Sequence, residues 1–412
     1  MASSATVPAV EAEGGDTLQP GTVGEVFRVF LRLGLTSFGG PVAHLGYFRN
    51  ELVLRRKWID EPGYADLVAL CQFLPGPASS QVGFALGLLR AGPLGGLAAW
   101  SAFTLPSAIL LLLFAHGMPA IQGRFDDGLL HGLKVVAVAV VAQAVWGMAR
   151  SLCPDRERAS IAVAAVLIVV FGAGSVGQIA AIAMGGLAGL WLCRGIPVAI
   201  TGTLRFPVPR RAGLRAVALF VVLLVLLPLL SAATASHGIT LFSSFYRSGS
   251  LVFGGGHVIL PLLQSVVVPP GWISRDSFLT GYGAAQAIPG PLFTFAAYLG
   301  AVMQPGPNGV TGAAICLVAL FLPGLLLLIG ALPFWDQFRA QPLAQAAMRG
   351  ANASVVGILG VALYNPVWTS AILTPYDFAL ALVGFTLLTV WKAPPWLVVV
   401  LVATGGIAMA FV

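Results

Sequence analysis

Apolar stretches dominate this chain, and their lengths fall into two classes. Four runs, about residues 93–115, 128–149, 308–330 and 343–363, are long enough, or nearly so, to cross a hydrocarbon core of ~30 Å at ~1.5 Å per helical residue. Five more, about 159–172, 176–193, 214–231, 376–391 and 394–411, are shorter but still workable spans. Between them lie stretches too short to cross: 24–38, 42–54, 64–74 and 77–89, then 240–253, 256–268, 276–288 and 291–303. Gly or Pro interrupts each of these. The pattern predicts an all-α polytopic membrane protein in which whole helices alternate with Gly/Pro-broken ones, re-entrant or crossing.

The short stretches come in pairs. Gln72-Phe73-Leu74-Pro75-Gly76-Pro77-Ala78-Ser79-Ser80-Gln81 recurs as Gln286-Ala287-Ile288-Pro289-Gly290-Pro291-Leu292-Phe293-Thr294. Ser37-Phe38-Gly39-Gly40-Pro41 recurs as Val252-Phe253-Gly254-Gly255-Gly256, and Trp58-Ile59 as Trp272-Ile273. The spacing is about half the chain each time. An internal duplication follows: a repeat over 22–212, a connector transmembrane helix over 213–236 and a second repeat over 237–412. Residues 1–21 are expected to form a disordered cytoplasmic tail. That tail is polar, carries Glu11, Glu13 and Asp16, and lacks the apolar core of a cleavable signal peptide.

Charge sharpens this picture. Only 9% of residues are charged and 58% are hydrophobic, against roughly 25% charged in soluble domains, so water cannot solvate the whole surface. The net charge of +7 invites a nucleic-acid reading. However, the basic residues sit in loops and no basic-aromatic platform accompanies them, so positive-inside placement explains them better. Arg49, Arg55, Arg56, Lys57, Arg90, Arg150, Arg156 and Arg158 share one side if 93–115 runs outward, 128–149 inward and 159–172 outward. Arg194, Arg205, Arg210, Arg211, Arg215, Arg339, Arg349 and Lys392 then join them, and Arg124, Lys134, Arg247 and Arg275 are the exceptions. The two repeats come out with opposite orientations, the N-terminus cytoplasmic and the C-terminus outside. Inverted-topology repeats with broken helices are a hallmark of secondary transporters.

The breaks supply the candidate chemistry. Pro75 and Pro77 remove backbone donors and disfavour helix before them, and Gly76 permits a turn. A helix restarting after Pro77 offers free N–H groups and its positive dipole end to an anion, with the Ser79 and Ser80 hydroxyls as further donors. In the second half, around Pro289, Gly290 and Pro291, only Thr294 keeps a hydroxyl. Ser37, Gly39 and Gly40, with Gly254 and Gly255, form a second pair of breaks, and Gln72 and Gln286 precede the Pro-Gly-Pro turns. Arg32 and Arg247 match between the repeats and offer charge, with snorkelling to the interface as the alternative. His44, His257 and Asp66 are candidates for a proton or polar relay, weighed against polar packing and helix capping. Kinks for packing are the competing explanation of the breaks, less weighty because four breaks pair by repeat beside polar side chains. The run Arg55-Arg56-Lys57-Trp58 reads as a cytoplasmic interfacial anchor. Cys71, Cys153, Cys193 and Cys316 lack paired spacing and read as small hydrophobes. No Walker loop, metal-ligand cluster, dinucleotide fingerprint or nucleophile–base arrangement is present, so no enzyme activity, cofactor or metal is expected.

At these residues the chain resembles the chromate ion transporter family in its long, two-domain form. Ser37-Phe38-Gly39-Gly40-Pro41 with His44, Arg55-Arg56 before Trp58, and Ala69-Leu70-Cys71-Gln72 leading into Leu74-Pro75-Gly76-Pro77 and Ser79-Ser80-Gln81 resemble its N-terminal signature. Phe253-Gly254-Gly255-Gly256-His257, Gln286-Ala287-Ile288-Pro289-Gly290-Pro291 and Gly350-Ala351-Asn352-Ala353 resemble the C-terminal one. The resemblance implies chromate export across the cytoplasmic (inner) membrane and chromate resistance, with sulfate as competitor or related substrate. The residues alone imply only a secondary transporter of a small anion in the lipid bilayer. A sulfate importer of the same fold and an anion channel stay open as alternatives, as does a homodimer.

Overall fold

The computed structural model describes residues 21–38, 40–117, 124–172, 174–194, 206–253, 256–335 and 341–409. Among these it forms sixteen α-helices of eight residues or more and no strand. The first half holds α1 (Val23–Thr36), α2 (Gly40–Phe48), α3 (Glu61–Phe73), α4 (Ala78–Gly117), α5 (Arg124–Leu152), α6 (Arg156–Phe171) and α7 (Gly174–Leu192). Helix α8 (Arg210–Ala233) connects it to the second. There follow α9 (His237–Ser250), α10 (Ile259–Val267), α11 (Arg275–Ala287), α12 (Phe295–Val302), α13 (Gly309–Ala331), α14 (Pro342–Ala362), α15 (Pro375–Thr389) and α16 (Pro395–Met409). Every apolar run read from the sequence is a helix or most of one. Among the described residues, five helical segments are long and apolar enough to cross a membrane: Ala78–Gly117, Gly128–Leu152, Arg210–Ala233, Gly309–Phe334 and Pro342–Ala371. The most apolar stretch of α8 has none of its residues buried, a surface that only lipid covers comfortably. The chain is a multi-pass membrane protein.

Equivalent stretches take equivalent shapes. Helix α4 is broken at Ala91 and Gly92, the latter at φ +66°, and the corresponding part of the second half is two separate helices, α12 and α13. Small residues set the crossings on both sides of each break. Gly87 lies against the Gly95 carbonyl, and Gly300 against that of Gly312. Gly34 of α1 approaches the Phe103 backbone, as Gly249 of α9 approaches that of Leu320.

Elsewhere the halves exchange partners. Helix α5 packs on α16 of the other half through Gly132 and Gly406, and α7 packs on α14 through Gly185, Gly189 and Gly350. Two polar links cross between α5 and the second half: Lys134 pairs with Asp276 at 2.9 Å, and His131 with the buried Asp377 at 2.7 Å. Lys134 is thus ion-paired to a largely exposed carboxylate. One apolar core draws on both halves, and a second joins α1–α4 to Leu325, Leu328, Leu332 and Trp335.

The expected anchor around Trp58 is built differently. Trp58 is buried, and the Arg90 guanidinium lies 5.4 Å above its ring. Arg55 and Arg56 pair with Glu51, while Arg56 and Arg90 reach Glu25. The carboxylates fold the basic cluster back onto the helix ends. Cys71, Cys193 and Cys316 are buried and all four cysteines are unpaired, as small hydrophobes are.

Glycine contacts make the exchanged packing testable. A Cβ at Gly350 would fall on the Gly185 carbonyl, whereas one at Gly147 meets nothing within 4 Å. Gly350→Val should lower stability by about 1–3 kcal/mol, read as a lower Tm in detergent, while Gly147→Ala should leave Tm unchanged or slightly raised.

Candidate functional site

The Pro-Gly-Pro turns of the two halves meet the Gly-rich breaks of the opposite halves. Gly76, at φ +121°, donates its N–H to the Val252 carbonyl at 2.7 Å. Gly290, at φ +97°, donates to the Ser37 carbonyl at 2.8 Å. Ser37 and Val252 are themselves equivalent positions, so the two bonds are one contact made twice with the halves exchanged. Glycine is required at both turns by the positive φ and by crowding. A Cβ on Gly76 would lie 2.9 Å from Gly324 Cα, and one on Gly290 would fall on the Ser107 hydroxyl. Gly324 and Ser107 each follow a proline inside a long helix, Pro323 and Pro106. Side chains complete the backbone pairing: Gln81 Nε2 donates to the carbonyls of Pro75 (3.0 Å) and Gly324 (2.9 Å), and Ser107 Oγ donates to that of Pro289.

Polar side chains gather beside this crossing. Helix α4 restarts at Ala78 as expected, and its first turn carries Ser79 and Ser80, both buried. His44 of α2 is fully buried, with Nδ1 3.4 Å from Ser79 Oγ and its ring edge-on to Phe103. The Phe103 carbonyl in turn lies close to Gly290. If Ser79 donates to Nδ1, the ring hydrogen sits on Nε2. That nitrogen has no hydrogen-bond partner among the described residues. The hydroxyls of Ser37, Ser80 and Thr104, Nε2 of Gln286 and Oε1 of Gln81 are buried without partners too. Each such group costs about 1–3 kcal/mol when left unpaired; apart from the Gln81 oxygen, which accepts, they form a set of neutral donors awaiting an acceptor. Gln286, Gly40, Gln143, His257 and Gly290 line a cavity of about 40 Å³, little more than one water at ~30 Å³.

Other expected residues sit apart or are already engaged. Thr294 is buried, but its hydroxyl donates to the Pro291 carbonyl at 2.8 Å, and its segment restarts as a 3₁₀ turn. His257 bonds the Tyr282 hydroxyl at 2.8 Å, and Asp66 is buried and engaged. Gln72 is exposed at the end of α3. Arg32 and Arg247 are exposed and do not join the crossing, because the faces of α1 and α9 that pack inward carry Phe30, Leu33, Phe245 and Gly249 instead. Gly39, Gly254 and Gly255 lie outside the described residues. Sequence reasoning passed over Thr104, Ser107 and Gln143, and gave Gln81 no role. The signal for two of them was present, since Thr104 and Ser107 flank Pro106 within an apolar run.

A helical multi-pass membrane protein whose discontinuous helices meet at a polar centre has the architecture of a transport protein. The chain belongs to the chromate transporter family, whose sequence model matches residues 24–190 and again 239–408. It is 29% identical over 401 residues to the chromate transport protein of Pseudomonas aeruginosa, covering 92% of this chain and 90% of that one. It is 26% identical over 395 residues to a probable chromate transport protein of Synechococcus elongatus, with 93% and 94% covered. A chromate transport protein of Cupriavidus metallidurans matches at 27% over 347 residues, with 82% and 81% covered. No solved structure matches the chain.

Unpaired hydroxyls and paired ones should respond oppositely to removal. In buffer free of oxyanions, Ser80→Ala and Thr104→Val should leave Tm unchanged or raised, because each deletes an unsatisfied group. Ser107→Ala, which frees the Pro289 carbonyl, should lower stability by about 1 kcal/mol. Thermal unfolding of the purified full chain reads both.

Proposed function

We propose that this protein carries chromate out of the cytoplasm across the cytoplasmic (inner) membrane and so confers chromate resistance. Family membership supports chromate as the substrate. The observation that carries the binding site is the set of unpartnered buried donors beside the crossed Pro-Gly-Pro turns. In this reading residues 22–212 and 237–412 are inverted-topology repeats joined by a connector over 213–236, with the N-terminus cytoplasmic and the C-terminus outside. The anion sits between them. Ser37, Ser80, Thr104, His44 and Gln286 supply donors, Ser79 donates to His44 Nδ1 and so keeps the ring hydrogen on Nε2, and the N-terminus of α4 supplies its dipole.

No lysine or arginine belongs to this donor set. A dianion held by neutral donors alone can be released without breaking an ion pair, which suits a carrier. Alternating access follows if the two halves part first on one side of the crossing and then on the other. Moving a charge out of a negative-inside cell is favourable by ~2.3 kcal/mol per 100 mV, about twice that for a dianion, so export needs no coupling ion. Sulfate is a tetrahedral dianion like chromate and should compete.

Inside-out vesicles with a clamped potential test this directly. Chromate uptake should be inhibited by unlabelled sulfate and lost in Ser79→Ala/Ser80→Ala at equal abundance in the membrane. Wild-type uptake by that variant would sink the site. Sulfate uptake only by right-side-out vesicles would keep the carrier and reverse its direction, and single-channel currents without counterflow would make it a channel.

A further inference from the structure

A second cavity lies away from the crossing, where α9 faces α7 and α10. Its volume is about 200 Å³, several times the ~30 Å³ that one water takes in the liquid. Ser244, Arg247, Ser248 and Leu251 line it from α9 at positions i, i+3, i+4 and i+7, a single stripe of one helix. Gln178 and Ser265 close it from α7 and α10.

No carboxylate lines this space. Arg247 has no ion-pair partner among the described residues, and the Ser244 hydroxyl has no hydrogen-bond partner among them. Ser248 and Ser265 donate to backbone carbonyls of their own helices, and Ser265 also approaches Gln178 Oε1 at 3.4 Å. The planar fork of N–H groups of Arg247 matches the oxygens of a tetrahedral oxyanion. The equivalent stripe of α1 is Val29, Arg32, Leu33 and Thr36. Both serine positions are apolar there, so the arrangement occurs once and is not a by-product of the duplication.

We propose that this cavity is an oxyanion-binding site in its own right, holding one sulfate-, chromate- or phosphate-type group through Arg247 and Ser244. Helix α9 ends just before Val252, whose carbonyl takes the Gly76 N–H. An anion bound at Arg247 therefore lies beside the helix that leads to the crossing, as a waiting position would. That role rests on the transport reading above, whereas the binding itself does not.

The test is equilibrium dialysis of radiolabelled sulfate against the full chain in nanodiscs of zwitterionic lipid. The wild type should show two sites per chain. Arg247→Gln should weaken one of them by about tenfold or more, and Ser244→Phe, which fills the cavity from the same face, should remove that same site. Ser79→Ala/Ser80→Ala should lose the other and keep the Arg247-dependent one. Repeating the titration with phosphatidylglycerol in the discs separates the sources. Displacement of the Arg247-dependent sulfate marks a lipid headgroup phosphate as occupant, and no displacement marks a free oxyanion. Sulfate binding and phosphatidylglycerol retention that are both unaffected by Arg247→Gln and Ser244→Phe would overturn the proposal. An unchanged Ser79→Ala/Ser80→Ala titration beside a defective Arg247→Gln would instead defeat the crossing as the transport site and leave this one standing.

Discussion

A backbone that leaves helix geometry inside a bilayer strands N–H and C=O groups that lipid cannot satisfy. Here the two turn glycines find partners for their N–H groups in the other half. The Gly76 N–H goes to the Val252 carbonyl and the Gly290 N–H to that of Ser37. Much else follows from this exchange. The turns must be glycine because they cross close to another backbone at positive φ, and the residues they touch must be as small as Gly324 or Ser107. Gln81 and Ser107 serve the same economy, taking up the carbonyls of Pro75 and Pro289 that the exchange leaves over.

Satisfying the backbone this way leaves side chains in surplus. Ser37, Ser80 and Thr104 are buried beside the crossing with nothing to donate to, an arrangement that stability alone would not keep. The charge that the sequence seemed to offer, Arg32 and Arg247, lies elsewhere. The unpartnered neutral donors and the guanidiniums therefore occupy separate places.

Much of this was legible beforehand. The whole and broken runs were marked by length and by Gly and Pro, and α4 begins at Ala78 where Pro77 requires. The pairing of the halves was only partly so. Repetition announces that Gly76 and Gly290 are equivalent, but which carbonyl each bonds depends on contacts between residues far apart in the chain. Trp58 looked like an outward anchor because its neighbours are basic, yet Glu25 and Glu51 draw those neighbours inward and leave the ring beneath Arg90. Thr294 looked like a ligand because it aligns with Ser80, but a 3₁₀ restart turns its hydroxyl onto Pro291. Side-chain direction at a helix start depends on that geometry, which periodicity does not record.

The exchange of helices between halves also bears on how the chain is made. The Gly185 and Gly189 face of α7 is covered by Gly350 of α14, and the Gly132 face of α5 by Gly406 of α16. Both faces belong to the part synthesised first, and both partners to the part synthesised last. The early helices must therefore wait in the membrane with their closest-packing surfaces uncovered until translation is nearly finished. The first half made alone lacks the helices that cover these two glycine faces.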